Sequence, residues 1–470
     1  MLYNIFTVCN ESGVIMENTN QTPSPQPNPR RRKRDPKRIF MESYLPVIIL
    51  GGIILLIILL IVSCANGGKQ SEEEARKASL AALEEEKKQA AAHKDEAESC
   101  LYEAQAAADN YDFEAAIEIL DSFSGNIYNF DELLALRDYC KDSMDNTVQY
   151  SPDQVVNLSI QMLIAEPDRA FISAKYADSY KKNFITTDEF RNLLSQLYAN
   201  GYVLVDMDDL VSTTEGESGA AYAAKTITLP HSKKPLMLTQ CQVNYYSYMV
   251  DPDADGKPDS NGAGFASRLI VQNGELLNEM VTADGQTTVG SYDLVPILEE
   301  FISEHPDFSY KGARATLSLT GYEGILGYRH DALAEAVPVL EELRARGYKL
   351  GFYTYANSDY NASTAGQIDS EIQRWNKYIV PTLGQTNIMV YARSADIAGP
   401  GPYSGDKFTT LQGHGFRYYL GYCTDGTPWF VCEGTYVRQG RITVSAQTLT
   451  ENPEWFGGIV NPSSVLVESR

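Results

Sequence analysis

Four aspartates lie within nine residues of this 470-residue chain. They are Asp251, Asp253, Asp255 and Asp259. Counted from the first of them they occupy positions 1, 3, 5 and 9, with Gly256 at position 6, which is the oxygen-ligand spacing of a calcium loop. Position 12 is Gly262 and not the bidentate glutamate that such loops use. The spacing therefore predicts a weak calcium site, and a solvated acidic turn is the alternative.

Histidine and cysteine, the other common metal ligands, form no comparable cluster in the sequence. The five histidines stand at positions 93, 231, 305, 330 and 414, so none has a partner three or four residues away that would complete a metal site. The seven cysteines are too few for a disulfide scaffold in a chain of this length. Cys100 with Cys140 and Cys423 with Cys432 could form disulfides, and free buried thiols are the alternative.

Tyrosine is abundant, with 30 residues in the chain. Several lie where predicted strands end, among them Tyr245, Tyr246, Tyr322 and Tyr328. An aromatic face with a polar tip suits both stacking on a sugar ring and hydrogen bonding to its hydroxyl groups. We therefore predict a saccharide groove that uses these tyrosines, while packing in the core is the alternative for any single one.

The elements that must position these residues alternate after about residue 150. Short apolar runs predict strands over Leu236–Cys241, Ala315–Thr320, Lys349–Tyr355, Ile388–Tyr391 and Tyr418–Cys423. Amphipathic segments predict helices over Thr187–Asn200, Leu294–His305, Ala332–Arg346 and Ile368–Tyr378. This alternation indicates an α/β domain with mainly parallel strands, either an open sheet or a barrel. In such domains the chemistry lies at the carboxyl ends of the strands.

The segments around these strand ends, taken as an ordered set, resemble the polysaccharide deacetylase family, also called the NodB-homology family or carbohydrate esterase family 4. The set consists of Phe190–Tyr202, Lys234–Thr239, Val243–Tyr246, His305–Phe308, Leu319–Tyr328 and Leu340–Tyr348. None of these segments is specific alone. The resemblance covers about residues 155–470 and implies a distorted (β/α) barrel in a domain of residues 150–470.

The resemblance also implies where catalysis would take place. Active members of the family use an Asp-Asp pair at the end of the first barrel strand, one carboxylate as general base and one as metal ligand, and two histidines at the end of a later strand. The matching positions here are Cys241 and Gln242 for the pair, and Tyr355 and Asp359 for the histidines. The chain therefore resembles the family as a divergent member would, without the metal triad and without an intact catalytic set.

Three interpretations of this altered site are open. The first is a site that binds cell-wall or capsular polysaccharide without hydrolysing it and without a cofactor, in which Arg393 of the altered arginine segment joins the tyrosines. The second is other chemistry with Cys241 as a thiol nucleophile or soft metal ligand, although a thiol needs a nearby base or cation to ionise and has no histidine beside it in sequence. The third is a divergent metal-dependent N- or O-deacetylase. We favour the first, in which the protein is not an enzyme.

The amino-terminal part of the chain predicts attachment to a membrane. Residues 45–62 carry no charge and would form about 27 Å of helix, which predicts a transmembrane helix over residues 43–64. The basic cluster at residues 30–38 keeps the preceding flank in the cytoplasm. Residues 1–42 are thus expected to be a disordered cytoplasmic tail, and the carboxyl-terminal domain to be extracellular on a single-pass protein of the cell membrane. A lipid anchor on Cys64 is the alternative.

Residues 65–148 are predicted to be a helical stalk. Its first part is rich in Glu, Lys and Ala, whereas Ala106–Ala116 looks like one tetratricopeptide-type hairpin. One such hairpin cannot bury its apolar face alone, so we expect it to pack on a neighbour, and a protein partner is the alternative. The formal charge of −23 makes the exported part acidic, which argues against nucleic acid as a partner.

Overall fold

The computed structural model of the protein describes residues 70–173, 175–216, 219–251 and 263–467. The chain divides into two units, residues 1–89 and 90–470. Helix α1 (Gln70–Ala92) begins in the first unit and exposes most of its side chains. Across the described ranges no helix is both long and apolar enough to span a bilayer. The predicted transmembrane helix of residues 43–64 and the predicted tail of residues 1–42 lie outside these ranges.

The second unit contains sixteen strands and thirteen further helices in its described residues. The strands are β1 (Thr147–Tyr150), β2 (Val156–Ile160), β3 (Tyr202–Leu204), β4 (Val211–Gly216), β5 (Gly219–Ala224), β6 (Ile227–Pro230), β7 (Lys234–Gln240), β8 (Arg268–Gln272), β9 (Glu275–Val281), β10 (Thr287–Gly290), β11 (Thr316–Leu319), β12 (Lys349–Phe352), β13 (Ile388–Val390), β14 (Tyr418–Tyr422), β15 (Phe430–Cys432) and β16 (Val437–Val444). The helices are α2 (Lys94–Asp109), α3 (Phe113–Asp121), α4 (Asp131–Asp145), α5 (Pro167–Ala170), α6 (Ala177–Asn183), α7 (Thr187–Ala199), α8 (Leu294–Glu304), α9 (Val337–Ala345), α10 (Ala365–Tyr378), α11 (Val380–Leu383), α12 (Asp406–Gly413), α13 (Ala446–Glu451) and α14 (Pro462–Val465).

Seven parallel strands form a closed barrel. Their order around the ring is β11, β12, β13, β14, β16, β2 and β7. The ring closes where Thr239 and Gln240 of β7 pair with Thr316 and Leu317 of β11. Strand β3 pairs in parallel with β7, and β15 pairs antiparallel with β16. The prediction of an α/β domain with parallel strands is confirmed, and the barrel is the correct one of the two predicted forms.

The helix layer covers the outside of the barrel. Helix α7 shows why its residues form a helix, because the Thr186 side chain accepts from the Glu189 amide while the Glu189 carboxylate accepts from the Thr186 amide. Its Leu193 and Leu197 are fully buried in the same cluster as Leu158 of β2. Alternate residues of each barrel strand therefore point outward into this layer.

Side chains from non-adjacent strands meet inside the barrel. The apolar members of this inner cluster include Met237, Val390, Leu420 and Val437. The polar members include Asn157, whose side-chain amide donates to Gln439 Oε1 at 2.9 Å and whose Oδ1 accepts from Thr239 Oγ1 at 2.9 Å. Because these groups are buried and hydrogen-bonded to one another, the inside of the barrel has an ordered polar layer.

Helices α2, α3 and α4 pack together and contact the segment that leads into β11, near the amino ends of the barrel strands. The Tyr111 hydroxyl donates to the main-chain oxygen of Asp307 at 2.7 Å, and the Tyr111 ring lies 5.2 Å from that of Tyr310. The Asp307 carboxylate in turn accepts from Lys233 Nζ at 2.6 Å and from the Tyr198 hydroxyl at 3.0 Å. The main chain and the carboxylate of Asp307 together therefore join the helices to the barrel.

The cysteines in the described ranges are all free. They are Cys100, Cys140, Cys241, Cys423 and Cys432. The sequence left open disulfides or free thiols at these positions. The structure has free thiols, so neither Cys100 with Cys140 nor Cys423 with Cys432 forms a disulfide.

We expect Asp307→Asn to lower the free energy of unfolding by about 1–3 kcal/mol, because the buried Lys233 loses its charged partner. Urea denaturation followed by circular dichroism would measure the loss. The control is Asp153→Asn, which changes an exposed carboxylate. An unfolding midpoint equal to that of the control would contradict the proposed role of this ion pair.

Candidate functional site

The carboxyl ends of the parallel strands meet at one end of the barrel, which we call the mouth. We define it by the segments that follow β7, β11, β12 and β13, namely residues 241–246, 320–328, 353–359 and 391–396. The predicted positions Cys241 and Gln242 follow β7, and Tyr355 and Asp359 follow β12. The topology therefore brings all four to the mouth.

Backbone strain concentrates at the mouth. Ten non-glycine residues in the described ranges have a positive φ, and seven of them lie in the four mouth segments. The seven are Gln242, Tyr245, Leu326, Thr354, Asn357, Arg393 and Ser394. Thr354, at φ 67°, is the least favourable, because its branched Cβ crowds the backbone in this region. Strained residues of this kind cluster at binding and catalytic sites, so the mouth is the candidate functional site.

A buried cation lies directly beneath the mouth. Cys241 Sγ is 3.0 Å from Nη1 of Arg441 and 3.2 Å from the Ser159 hydroxyl, and the same Nη1 donates to that hydroxyl at 3.0 Å. Arg441 also donates through Nε to the main-chain oxygen of Gly421 and through Nη2 to that of Tyr391, at 3.1 and 3.0 Å. These bonds fix the guanidinium at the centre of the barrel.

Two tyrosines complete this buried group. The guanidinium of Arg441 lies 4.2 Å from the ring centre of Tyr422, whose hydroxyl is 3.5 Å from that of Tyr353. Burial raises the pKa of both tyrosines above the ordinary value, so both are neutral at physiological pH. Burial opposes the charge of Arg441, but Tyr422, Cys241 and Tyr353 outweigh it and raise the arginine pKa.

The residues at the four matched positions do not fit a divalent metal ion. The Cys241 sulfur already contacts a permanent cation, which would repel a second one. A Cβ on Gly321 would lie 2.6 Å from the Tyr355 ring, so this ring packs directly against the backbone of the mouth segment 320–328. Asp359 accepts from the Ala362 amide at 2.8 Å within its own loop. The described part of the chain contains no group of three or more His, Cys, Asp and Glu side chains arranged to hold a metal.

The predicted saccharide residues divide into a buried and an exposed set. Tyr245 is completely buried, and its hydroxyl donates to Asp293 Oδ2 at 2.7 Å. Tyr328 is buried beneath the Arg268 guanidinium at 5.2 Å. Tyr246 is buried with its hydroxyl 2.7 Å from Thr320 Oγ1.

Tyr322 and Arg393 form the exposed set, and Tyr322 exposes 61% of its surface.

Tyr322 belongs to an aromatic patch at the edge of the mouth, formed with Tyr355, Tyr378 and His330. Burial raises the pKa of Tyr355, and the nearby Tyr378 and Tyr322 raise it further. The Nε2 of His330 donates to the main-chain oxygen of Tyr322 at 3.1 Å, and the His330 ring lies 5.5 Å from that of Tyr378. Sequence reasoning did not identify Tyr378 or His330, because both lie outside the predicted strand ends.

The predicted calcium loop is described only at its first residue. Asp251 is half-buried after the short helical turn of residues 247–249. Asp253, Asp255 and Asp259 lie outside the described ranges, so the calcium site stays a prediction.

Comparison with known proteins adds solved structures only. No protein-family model and no curated protein matches the chain. A deacetylase from Streptococcus pyogenes, PplD in complex with acetate, is 10% identical with a TM-score of 0.33, over 67% of this chain and 99% of that one.

A de-N-acetylase from Aggregatibacter actinomycetemcomitans is 10% identical with a TM-score of 0.33, over 62% of this chain and 95% of that one. A family 4 carbohydrate esterase from Streptomyces lividans in complex with acetate is 16% identical with a TM-score of 0.18, over 24% and 52%. These low scores do not establish an activity for this chain.

Asp293, beside the mouth, gives a pH prediction. Burial raises its pKa from 3.8 to about 6 despite hydrogen bonds from the Leu163 amide, Tyr245 and Gln240. Because the folded state holds this proton more tightly than the unfolded state, its stabilising effect is complete below about pH 4 and is lost as the pH rises through about 6. The free energy of unfolding, relative to Asp293→Asn, should fall by about 3 kcal/mol over this window.

Urea unfolding of both proteins at a series of pH values measures this difference. Asp331→Asn, at an exposed carboxylate, is the control and should differ from the wild type by a constant amount. A constant difference for Asp293→Asn as well would contradict the assignment.

Proposed function

We propose that the barrel binds an acetylated cell-wall or capsular polysaccharide at its mouth and does not hydrolyse it by the metal-dependent mechanism of the family it resembles. The observation that carries this proposal concerns Cys241, which stands where the resemblance places a carboxylate. Its Sγ lies 3.0 Å from the guanidinium of Arg441. A metal-dependent deacetylase needs anionic ligands and a general base there. A fixed cation, a thiol and an amide provide neither.

The aromatic patch supports the saccharide part of the proposal. Tyr322 and Tyr378 expose 61% and 42% of their surfaces beside the mouth. Exposed aromatic faces of this kind gain free energy when a sugar ring covers them, and their hydroxyls remain able to bond to the sugar. Arg393, exposed on a strained backbone, adds a donor for polar groups of the glycan.

The amino-terminal sequence supports a proposal about location. An uncharged segment at residues 45–62 after a basic cluster favours a single-pass protein of the cell membrane with the barrel outside. In that compartment millimolar calcium could fill a weak site formed by Asp251, Asp253, Asp255 and Asp259. We also propose a protein partner at helices α2–α4. A pull-down with the full-length protein and with a variant that lacks these helices would test this.

The competing function is a divergent metal-dependent N- or O-deacetylase. Full-length protein would be incubated with acetylated chitooligosaccharide or peptidoglycan fragments, with zinc or cobalt added, and acetate release would be measured. We expect no release above the protein-free control. Release that depends on the metal and stops on chelation would overturn the proposal in favour of the deacetylase.

We expect Tyr322→Ala to weaken polysaccharide binding about tenfold, which corresponds to about 1.4 kcal/mol of lost contact with one sugar ring. Isothermal titration calorimetry with the acetylated oligosaccharide would measure the change. Tyr102→Ala is the matched control, since Tyr102 is 79% exposed on helix α2, away from the mouth. Equal binding by the two variants would show that the aromatic patch does not contact the glycan.

A further inference from the structure

The carboxylates of the four mouth segments all have partners inside the protein. Glu323 accepts from Nη1 of Arg329 at 2.9 Å, and Asp396 accepts from Nη2 of Arg438 at 2.9 Å. Asp359 accepts from a main-chain amide of its own loop at 2.8 Å. The negative charges of the mouth are therefore already engaged within the fold.

Helix α10 contributes one more carboxylate, which is engaged in the same way. Glu371 accepts from the Tyr355 amide at 3.0 Å and from the Tyr360 hydroxyl at 3.3 Å. The Ser358 hydroxyl donates to the other oxygen of Glu371. These bonds join the middle of helix α10 to the segment that follows β12, so they fix the position of the helix beside the mouth.

The last turns of helix α10 carry cations that have no such partners. Arg374, Lys377 and Tyr378 are spaced three and four residues apart, so they share one face of the helix. All three are exposed. Neither Arg374 nor Lys377 pairs with a carboxylate in the described part of the chain.

This face of the helix lies at the aromatic patch. Lys377 Nζ is 4.8 Å from the ring centre of Tyr378, and the His330 ring is 5.5 Å from the same ring. Burial raises the pKa of Tyr355, and the charge of Arg374 opposes this rise, which places the guanidinium near the Tyr355 hydroxyl. Cations and aromatic rings therefore occupy one patch.

A third cation without a carboxylate partner stands on the neighbouring mouth segment. Strands β11, β12 and β13 are consecutive in the barrel, so residues 353–359 lie between the segment of Tyr322 and that of Arg393. Arg393 is exposed and pairs with no carboxylate in the described ranges. Positive charge that is not neutralised within the fold therefore borders this side of the mouth.

We propose that this edge of the mouth binds an oxyanion, a carboxylate or a phosphate, that the polysaccharide carries, and that Arg374, Lys377 and Arg393 hold it. Guanidinium and ammonium groups are the natural partners of carboxylate and phosphate oxygens. The rings beside them contact the sugar that bears the anion. The inference rests on the proposed function and narrows its ligand from an acetylated polysaccharide to an acidic one.

The formal charge of −23 does not exclude such a ligand. Interactions between exposed charges are screened over about 8 Å at physiological ionic strength, so the charges close to the ligand decide its binding. Asp331, which follows His330, is an exposed carboxylate at this edge. Its single charge is outnumbered by the three cations.

The first experiment measures whether charge on the sugar matters. Full-length protein would be titrated by calorimetry with a hyaluronan octasaccharide, which carries N-acetyl and carboxylate groups, and with the same oligosaccharide after reduction of its carboxylates. We expect the acidic form to bind about tenfold more tightly, which corresponds to about 1.4 kcal/mol and is the size that a few exposed ion pairs provide. This preference should shrink at high salt. Equal affinities at low salt would overturn the inference.

The second experiment tests the residues. Arg374→Gln combined with Lys377→Gln should lower the affinity for the acidic form toward that of the reduced form. Lys88→Gln combined with Lys141→Gln removes the same net charge at exposed positions on helices α1 and α4 and is the matched control. Tyr322→Ala should weaken both forms equally, because a ring does not distinguish the carboxylate from the alcohol. An undiminished preference in Arg374→Gln/Lys377→Gln, or an equal loss in the control, would contradict the assignment.

Competition distinguishes the two sources of the oxyanion. Glucuronate and N-acetylglucosamine 6-phosphate would each be added to the complex with the acidic octasaccharide, with N-acetylglucosamine as the neutral control. The stronger competitor identifies the anion as a carboxylate or a phosphate. Competition by both at the level of the neutral sugar would overturn the inference.

Failure of this inference is distinguishable from failure of the proposed function. If both forms of the octasaccharide bind with one affinity, the mouth binds polysaccharide without selecting its charge, and the proposed function stands. If neither form binds, and acetylated chitooligosaccharide does not bind either, the proposed function fails and this inference fails with it.

Discussion

Closure of the barrel between β7 and β11 is the constraint on which the rest of the structure depends. Two residue pairs form the ladder here, Thr239 with Thr316 and Gln240 with Leu317, and the Ser318 hydroxyl donates to the main-chain oxygen of Gln240 at 2.9 Å. Without them the seven strands would form an open sheet, and the segments after β7 and β12 would not face a common space. With them, residues as distant in sequence as Ser159, Cys241 and Arg441 meet in one buried group. The inner side of a closed ring is also shielded from water, so every polar group there must find its partner inside.

That shielding explains why charge is the decisive property of this barrel. Asn157, Thr239 and Gln439 satisfy one another as neutral groups, which costs little. Arg441 carries a full charge, and it donates to four acceptors, one of them the Cys241 sulfur, while its guanidinium lies 4.2 Å from the ring centre of Tyr422. The residue at position 241 is therefore one of the groups that hold this guanidinium in place.

The sequence predicted the outer layer of the barrel better than its inside. Five of the seven strands were predicted, because their outward residues form apolar runs that pack under helices. Strands β2 and β16 were missed, since Asn157, Ser159, Gln439 and Arg441 place polar side chains where a barrel interior is usually aliphatic.

The candidate site was predictable only in part, for a related reason. The topology placed Cys241, Gln242, Tyr355 and Asp359 at the mouth as expected, but the partner of Cys241 lies 200 residues away and no local pattern indicates it. Tyrosine serves equally in cores and on surfaces, so the burial of Tyr245 and the exposure of Tyr322 could not be distinguished from sequence.

Strain at the mouth shows that its shape is not set by stability. A non-glycine residue with a positive φ costs on the order of 1 kcal/mol or more, and seven of them lie in the mouth segments. Hydrogen bonds hold several of these segments in place, as when the Asn244 side chain bonds to the main chain of Thr320 and Gly324. Glycine at the strained positions would relieve the cost, yet the chain places Gln242, Thr354 and Arg393 there. Thr354 is buried and its hydroxyl accepts from the Ser358 amide at 2.9 Å, so its side chain holds its own loop, whereas Arg393 is exposed on its strained backbone and can contact a ligand.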